Sequence, residues 1–142
     1  MRTKAATGFG ASLVVLFFIA LFFYFNFTTV IVSGHSMEPT FKPGQRLLAS
    51  RAYWLVGGVK DNDIVVIKTG NGSEYIIKRV YKTSGETVDW VNVPGDWHLV
   101  NGEYRVPDGD IYLIGDNRPV SEDSRSFGAI PISRVIGKII RY

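Results

Sequence analysis

Between Lys4 and Glu38 the chain has no Lys, Arg, Asp or Glu, and Phe9 to Phe27 is a nineteen-residue stretch made mostly of Leu, Val, Ile, Ala and Phe. Seven of the nine phenylalanines in the 142 residues fall within it. As a helix rising about 1.5 Å per residue it reaches about 28 Å, close to the hydrocarbon thickness of a bilayer at about 30 Å. The remainder is one domain, too small to enclose an all-apolar helix, so a buried core helix is the poorer reading. A cleaved secretory leader would be shorter in its apolar part and would end in small residues. Here the stretch ends Tyr24-Phe25-Asn26-Phe27. The expectation is a transmembrane anchor over 9–27, a short flank over 1–8 and a folded domain over 28–142.

The flanks predict orientation. Arg2, Lys4 and the amino terminus precede the stretch, and the next lysine is Lys42. The positive-inside rule then puts the N-terminus in the cytoplasm and the domain outside a plasma membrane that the chain crosses once. Past Phe27 there are 14 basic and 13 acidic residues, so the domain is nearly neutral and has no electrostatic case for binding nucleic acid. The chain has no cysteine, which excludes disulfides and thiolate chemistry. No metal or cofactor is expected.

Beyond the anchor the apolar stretches are short and, taken together, rich in β-branched residues: 46–50, 63–68, 74–81, 87–91, 97–100, 110–114 and 135–141. Turn signals separate them, among them Lys42-Pro43-Gly44, Gly57-Gly58, Ser84-Gly85, Pro94-Gly95, Asn101-Gly102 and Pro107-Asp108-Gly109. Gly70-Asn71-Gly72 reads as a hairpin tip. No segment here has a helical period over eleven residues. The fold class expected is mainly β: a compact, antiparallel, barrel-like domain on one N-terminal transmembrane helix.

Two residues carry candidate chemistry. Ser36 lies in Gly34-His35-Ser36-Met37-Glu38-Pro39-Thr40, nine residues past the anchor. Its hydroxyl becomes a nucleophile only if a neighbouring base takes the proton. Lys78 can serve as that base if burial keeps it neutral, because desolvation penalises the ammonium form. In a strand, Ile76, Lys78 and Val80 share one face. A lysine between Ile and Val on its own face departs from the usual surface pattern, although an edge-strand lysine reaching out to water would read the same way. The segment 115–128 is dense in Asp, Arg, Asn and Ser, which suits either a solvated loop or a frame that holds reacting groups.

In this order, these segments resemble the type I signal peptidases, membrane-bound serine proteases with a Ser–Lys dyad. Ser33 to Thr40, followed by Pro43-Gly44, is similar to the family's nucleophile motif. Asp63-Ile64-Val65-Val66 and Lys78-Arg79-Val80 are similar to the next two motifs. Gly115-Asp116-Asn117-Arg118 with Ser121, Asp123, Ser124 and Arg125 is similar to the last, and Gly137-Lys138 also fits. The resemblance implies Ser36 as nucleophile, Lys78 as general base and Ser121 as the group that orients the lysine amine. It implies Asp116–Arg79 and Asp123–Arg125 as structural bridges, and the Ser36 backbone N–H as an oxyanion-hole donor.

Two departures stand out. Gly34 occupies a position where some relatives carry a hydroxyl donor, and Pro94-Gly95-Asp96 comes later than the family's corresponding segment. The short domain matches the compact, Gram-positive-like form. The implied partners are signal peptides of exported precursors, the lipid bilayer and the translocation machinery. The substrate would bind extended against a strand edge, with Ile31, Val32 and the neighbourhood of Ile76 as candidate pocket walls. Arg51 to Val56, with Trp54, is a candidate for headgroup contact or for ordinary core packing. Three rival readings are a Ser–His–Asp hydrolase using His35 or His98, a non-catalytic binder of signal peptides, and a self-cleaving protease of the SOS-repressor kind.

Overall fold

The structure, a computed structural model, describes residues 3–55, 57–70 and 74–141. The first helix, α1 (Thr3–Asn26), contains an apolar span Phe9–Asn26 of mean hydropathy 2.1, none of it buried against the rest of the protein. It is long and apolar enough to cross a membrane. It stops one residue before the end of the apolar stretch, because Phe27 opens strand β1 (Phe27–Ile31). Phe27 stacks back on Phe23, and the Arg51 N–H donates to the Asn26 carbonyl at 2.7 Å, so the helix end is joined to the domain.

The domain is a curled, half-barrel sheet of seven antiparallel strands. In chain order these are β1, β2 (Arg46–Ser50), β3 (Ile64–Lys68), β4 (Tyr75–Thr83), β7 (Asp110–Ile114), β8 (Ile130–Pro131) and β9 (Val135–Arg141). In space the order is β1-β2-β9-β3-β4-β7-β8. A separate ribbon pairs β5 (Thr87–Val88) with β6 (Tyr104–Arg105), and a one-turn helix α2 (Ser124–Phe127) precedes β8.

Four consecutive residues of β3, Ile64 to Ile67, are buried, the pattern of a strand covered on both faces. Ile64 and Val66 pack with Met37, Phe41, Leu47 and Ile139. Val65 and Ile67 pack with Val80, Ile111, Leu113 and Ile130. A third cluster, Val88, Val106, Tyr112 and Ile114, fixes the β5–β6 ribbon to β7, and the Tyr112 hydroxyl donates to the Asn92 carbonyl at 2.7 Å. On β9, a Cβ at Gly137 would stand 3.3 Å from both the Ala49 Cβ and the Ser50 carbonyl oxygen, so glycine permits the close approach of β2.

The strands expected at 46–50, 110–114 and 135–141 form with those bounds, and β3 and β4 pair as the predicted hairpin. Its expected tip at Asn71 and Gly72 lies outside the described residues. The expectation at 97–100 is corrected. Trp97 lies in a turn and residues 99–101 form a single 3-10 turn, since the Trp97 N–H donates to Pro94 and its indole N–H to the Gly102 carbonyl. Two flanking turns draw these donors away from any ladder. The strand expected to run to Val91 stops at Val88, where the Asn92 N–H closes a turn on the Asp89 carbonyl.

Phe41 is fully buried in the cluster that anchors the loop carrying Ser36. Phe41→Ala is predicted to cost about 3–5 kcal/mol in denaturant unfolding of the full chain in detergent, the range for deleting a buried aromatic side chain.

Candidate active site

Ser36 stands in the connection between β1 and β2. Its neighbour Met37 is 1% exposed, and Phe41 closes a turn by donating its N–H to the Met37 carbonyl at 2.9 Å. Two apolar anchors therefore fix the backbone while the serine, half-buried, remains at the edge of a cavity. At the other end of the loop the Val32 N–H donates to Gln45 and the Gly44 N–H to Val32, both at 2.9 Å.

Lys78 sits in the middle of β4, opposite Val65 of β3. It is 3% exposed, on the face that carries Ile76 and Val80 into the core. Burial holds its amine below the ordinary lysine range. The Asp123 and Glu122 carboxylates oppose that shift, and the Arg125 guanidinium reinforces it. The Lys78 Nζ donates to Ser121 Oγ at 2.9 Å. A cavity of about 680 Å3 brings Ser36 and Lys78 to one surface. Its other walls include Gly34 and His35 beside the serine and Ile67, Ile76, Phe127 and Ile130 beyond the lysine.

The segment 115–128 is the frame. Gly115 fits between the two loops because it lacks a side chain. A Cβ there would lie 2.1 Å from Ser121 Oγ and 2.7 Å from the Ser36 carbonyl oxygen. The Asn117 N–H donates to the Ser36 carbonyl at 2.9 Å, and its side-chain amide donates to His35 at 3.0 Å. Asp116 receives both Nε and Nη2 of Arg79, at 2.8 and 2.7 Å, and the Thr40 hydroxyl at 2.5 Å. Burial alone would raise its pKa, but these donors outweigh it and hold the carboxyl below its usual range. Arg79 continues to the Asn62 carbonyl at 2.9 Å.

Asp123 is fully buried and caps α2. It accepts the Gly115 N–H at 2.9 Å and the Arg125 guanidinium through Nε and Nη2, each at 2.9 Å. Burial pushes its pKa up, yet the Arg125, Gly115 and Ser121 hydrogen bonds pull it below the usual range. Ser124, also fully buried, accepts the Leu113 N–H at 2.9 Å. Buried charges of this kind are tolerable only when each is paired and hydrogen-bonded.

All seven residues singled out from the sequence — Ser36, Lys78, Arg79, Asp116, Ser121, Asp123 and Arg125 — thus fall in one contiguous region. Sequence reasoning gave no task to Thr40 or Asn117, although both lie within the quoted motifs. Their partners are 76 and 82 residues away, a proximity no local pattern carries. Of the suggested pocket walls, Ile31, Val32 and Ile76 line a small recess of about 60 Å3 that also includes Ser36. The larger cavity adds Val120, Phe127, Ala129 and Ile130. His35 lies 3.2 Å from Glu38 on the exposed side of the loop, and His98 does not line the cavity. Trp54 is 68% exposed, which excludes the core-packing reading for it. Among the described residues no group of His, Cys, Asp and Glu is arranged to hold a metal.

Comparison with known proteins gives the family. The family model described as signal peptidase, peptidase S26, matches residues 6–94 and 91–142. Signal peptidase I of Bacillus caldolyticus is 30% identical over 143 residues, covering 81% of this chain and 78% of that protein. Signal peptidase IB of Staphylococcus aureus (strain COL) is 27% identical over 161 residues, covering 89% and 81%. A crystal structure of a signal peptidase I from Enterococcus faecalis V583 aligns at 23% identity with a TM-score of 0.44, over 58% of this chain and 96% of that one. With a family model matched along nearly its whole length, the chain belongs to the signal peptidase family, peptidase S26.

Proposed function

We propose that this chain is a membrane-anchored serine endopeptidase that removes signal peptides from exported precursors, with Ser36 as nucleophile and Lys78 as general base. The observation that carries the reading is the state of Lys78. An amine 3% exposed, held below its ordinary pKa and hydrogen-bonded to Ser121, lines the same cavity as a half-buried serine. Family membership supports signal-peptide removal by a serine peptidase. The apolar helix α1 supports anchorage in a membrane. The domain would then stand outside the plasma membrane, with the N-terminus in the cytoplasm, in line with the flanking charges.

The chemistry follows from the hydrogen bonds. Lys78 donates to Ser121 Oγ, and Ser121 is among the groups that hold the Asp123 carboxyl below its usual range. A neutral amine that donates one N–H to Ser121 keeps its lone pair free to accept a proton, and Ser36 lines the same cavity. Lys78 takes the Ser36 proton, the alkoxide attacks the scissile carbonyl, and the developing oxyanion is met by the Ser36 backbone N–H. Lys78 returns the proton to the leaving amine. It then deprotonates a water molecule, which hydrolyses the acyl-enzyme.

Asp116 with Arg79 and Thr40, and Asp123 with Arg125, act as bridges that hold both loops to the sheet. Gly34 adopts φ +80° and a Cβ there would meet nothing within 4 Å, so no side chain fills the space where relatives can place a hydroxyl. Oxyanion stabilisation then depends on backbone donors. A donor of this kind contributes about 2.7–4 kcal/mol. Confining enzyme and precursor to one bilayer raises their effective concentration. The translocation machinery is a natural third partner, and nucleic acid is not one.

Cleavage of a precursor panel in detergent tests the dyad. Ser36→Ala and Lys78→Ala are each predicted to lower kcat by at least about 1,000-fold with a native unfolding midpoint, since residues acting as one unit fail together. Activity equal to wild type in either variant would contradict the reading. The pH profile supplies an independent check. Lys78 works only when neutral, so activity rises with pH through its lowered pKa. The Glu122 carboxylate favours the ammonium form. Glu122→Gln is therefore predicted to move the rising limb of log(kcat/KM) toward lower pH, and a limb displaced upward would contradict that sign.

A further inference from the structure

We propose that Lys68 and Arg134 form a subsite for an acidic side chain of the substrate, at one end of the cleft that holds Ser36 and Lys78. The inference rests on the peptidase reading given above. A recess of about 290 Å3 is lined by Lys68, Thr69, Gly70, Ser133, Arg134 and Ile136. It shares four of these residues, Lys68, Thr69, Gly70 and Arg134, with the main cavity, so the two are continuous. The main cavity also contains Glu74 and Glu122, which offset its positive charge, but among the described residues no carboxylate lines the recess.

Lys68 is the last residue of β3, and Arg134 ends the 3-10 turn that leads into β9, so each is the next residue beyond the Ile67–Val135 pair. Like charges gathered on one recess repel. Three other cations of the sheet are neutralised: Lys138 pairs with Asp63 at 2.7 Å, Arg79 with Asp116, and Lys82 with Asp61 and Glu86, whereas Arg46 at the start of β2 forms no such pair among the described residues. Neither Lys68 nor Arg134, both exposed, pairs with a carboxylate among the described residues. A carboxylate arriving with the substrate would relieve the repulsion and could receive a bidentate contact from Arg134.

Register fixes the reach. Lys78 is level with Val65, and Lys68 lies three residues further along β3, about 10 Å at about 3.3 Å per residue. An extended substrate with its scissile carbonyl at Ser36 would present a side chain there roughly three residues from the cut.

The test is kcat/KM for the full-length protein in detergent on precursor peptides with a single Asp, Asn or Lys walked through the second to fifth positions on each side of the cut. Wild type is expected to prefer Asp over Asn about three- to fivefold at one position, with Lys worst, and the preference should fade in high salt. The Lys68→Glu/Arg134→Glu variant is expected to reverse that order. Should it fail to fold, Lys68→Gln/Arg134→Gln must abolish the preference. Asp, Asn and Lys cleaved equally at every position, or a preference retained in either double variant, would overturn the subsite. Absence of Ser36-dependent cleavage of the Asn peptides would count against the peptidase reading instead. In that event, anisotropy with labelled peptides on Ser36→Ala still reads the Asp preference by binding.

Discussion

The Lys78 amine, kept out of water yet next to a cavity, is the constraint to which the rest of the domain is fitted. An ammonium at such a position would pay a desolvation cost of several kcal/mol unless paired, so the fold favours the neutral amine. That state needs an apolar seat, which β3 and β4 provide through Val65, Ile76 and Val80. It also needs a polar partner that does not restore the full charge. Ser121 fills that place at 2.9 Å, and the Asp123 carboxylate, which favours the ammonium form, is not hydrogen-bonded to the amine. A carboxylate directly on the amine would hold the proton there and silence the base.

From that seat the remaining architecture follows. Asp123 is fully buried beside Ser121 and takes Arg125 and the Gly115 N–H as compensation. Gly115 must lack a side chain to let Ser121 and the Ser36 carbonyl approach from its two sides. Asp116, next in sequence, ties β4 through Arg79 and the Ser36 loop through Thr40. Ser36 and Lys78 thus come from distant parts of the chain and are set by one fourteen-residue segment, 115–128. On the proposed reading such a constellation is pre-organised for reaction.

Much of this was legible in the sequence because its signals are local. Strand β7 is a short apolar stretch set between Gly109 and Gly115, and its ends coincide with those glycines, while β2 and β9 are apolar stretches whose bounds match the hydrophobic pattern. The apolar face of Lys78 was readable from Ile76 and Val80 by strand alternation alone. Strand β1 was not, since Phe27 to Ile31 continues the anchor's apolar character and becomes a strand only by pairing with β2. The same limit applies to Thr40 and Asn117. Each is an ordinary turn residue until folding brings its partner from the other end of the domain. The resemblance to signal peptidases supplied roles for Ser121, Asp116 and Asp123 that composition and spacing would have left as a solvated loop.

The central claim is a neutral base at Lys78, and its titration is directly measurable. In the full-length protein labelled with 15N-lysine in detergent micelles, the resonance lost in Lys78→Arg identifies the Nζ. The account predicts that this nitrogen titrates below the ordinary lysine value near 10.4. A Lys78 that titrates at or above that value would remain charged at working pH and would contradict the account.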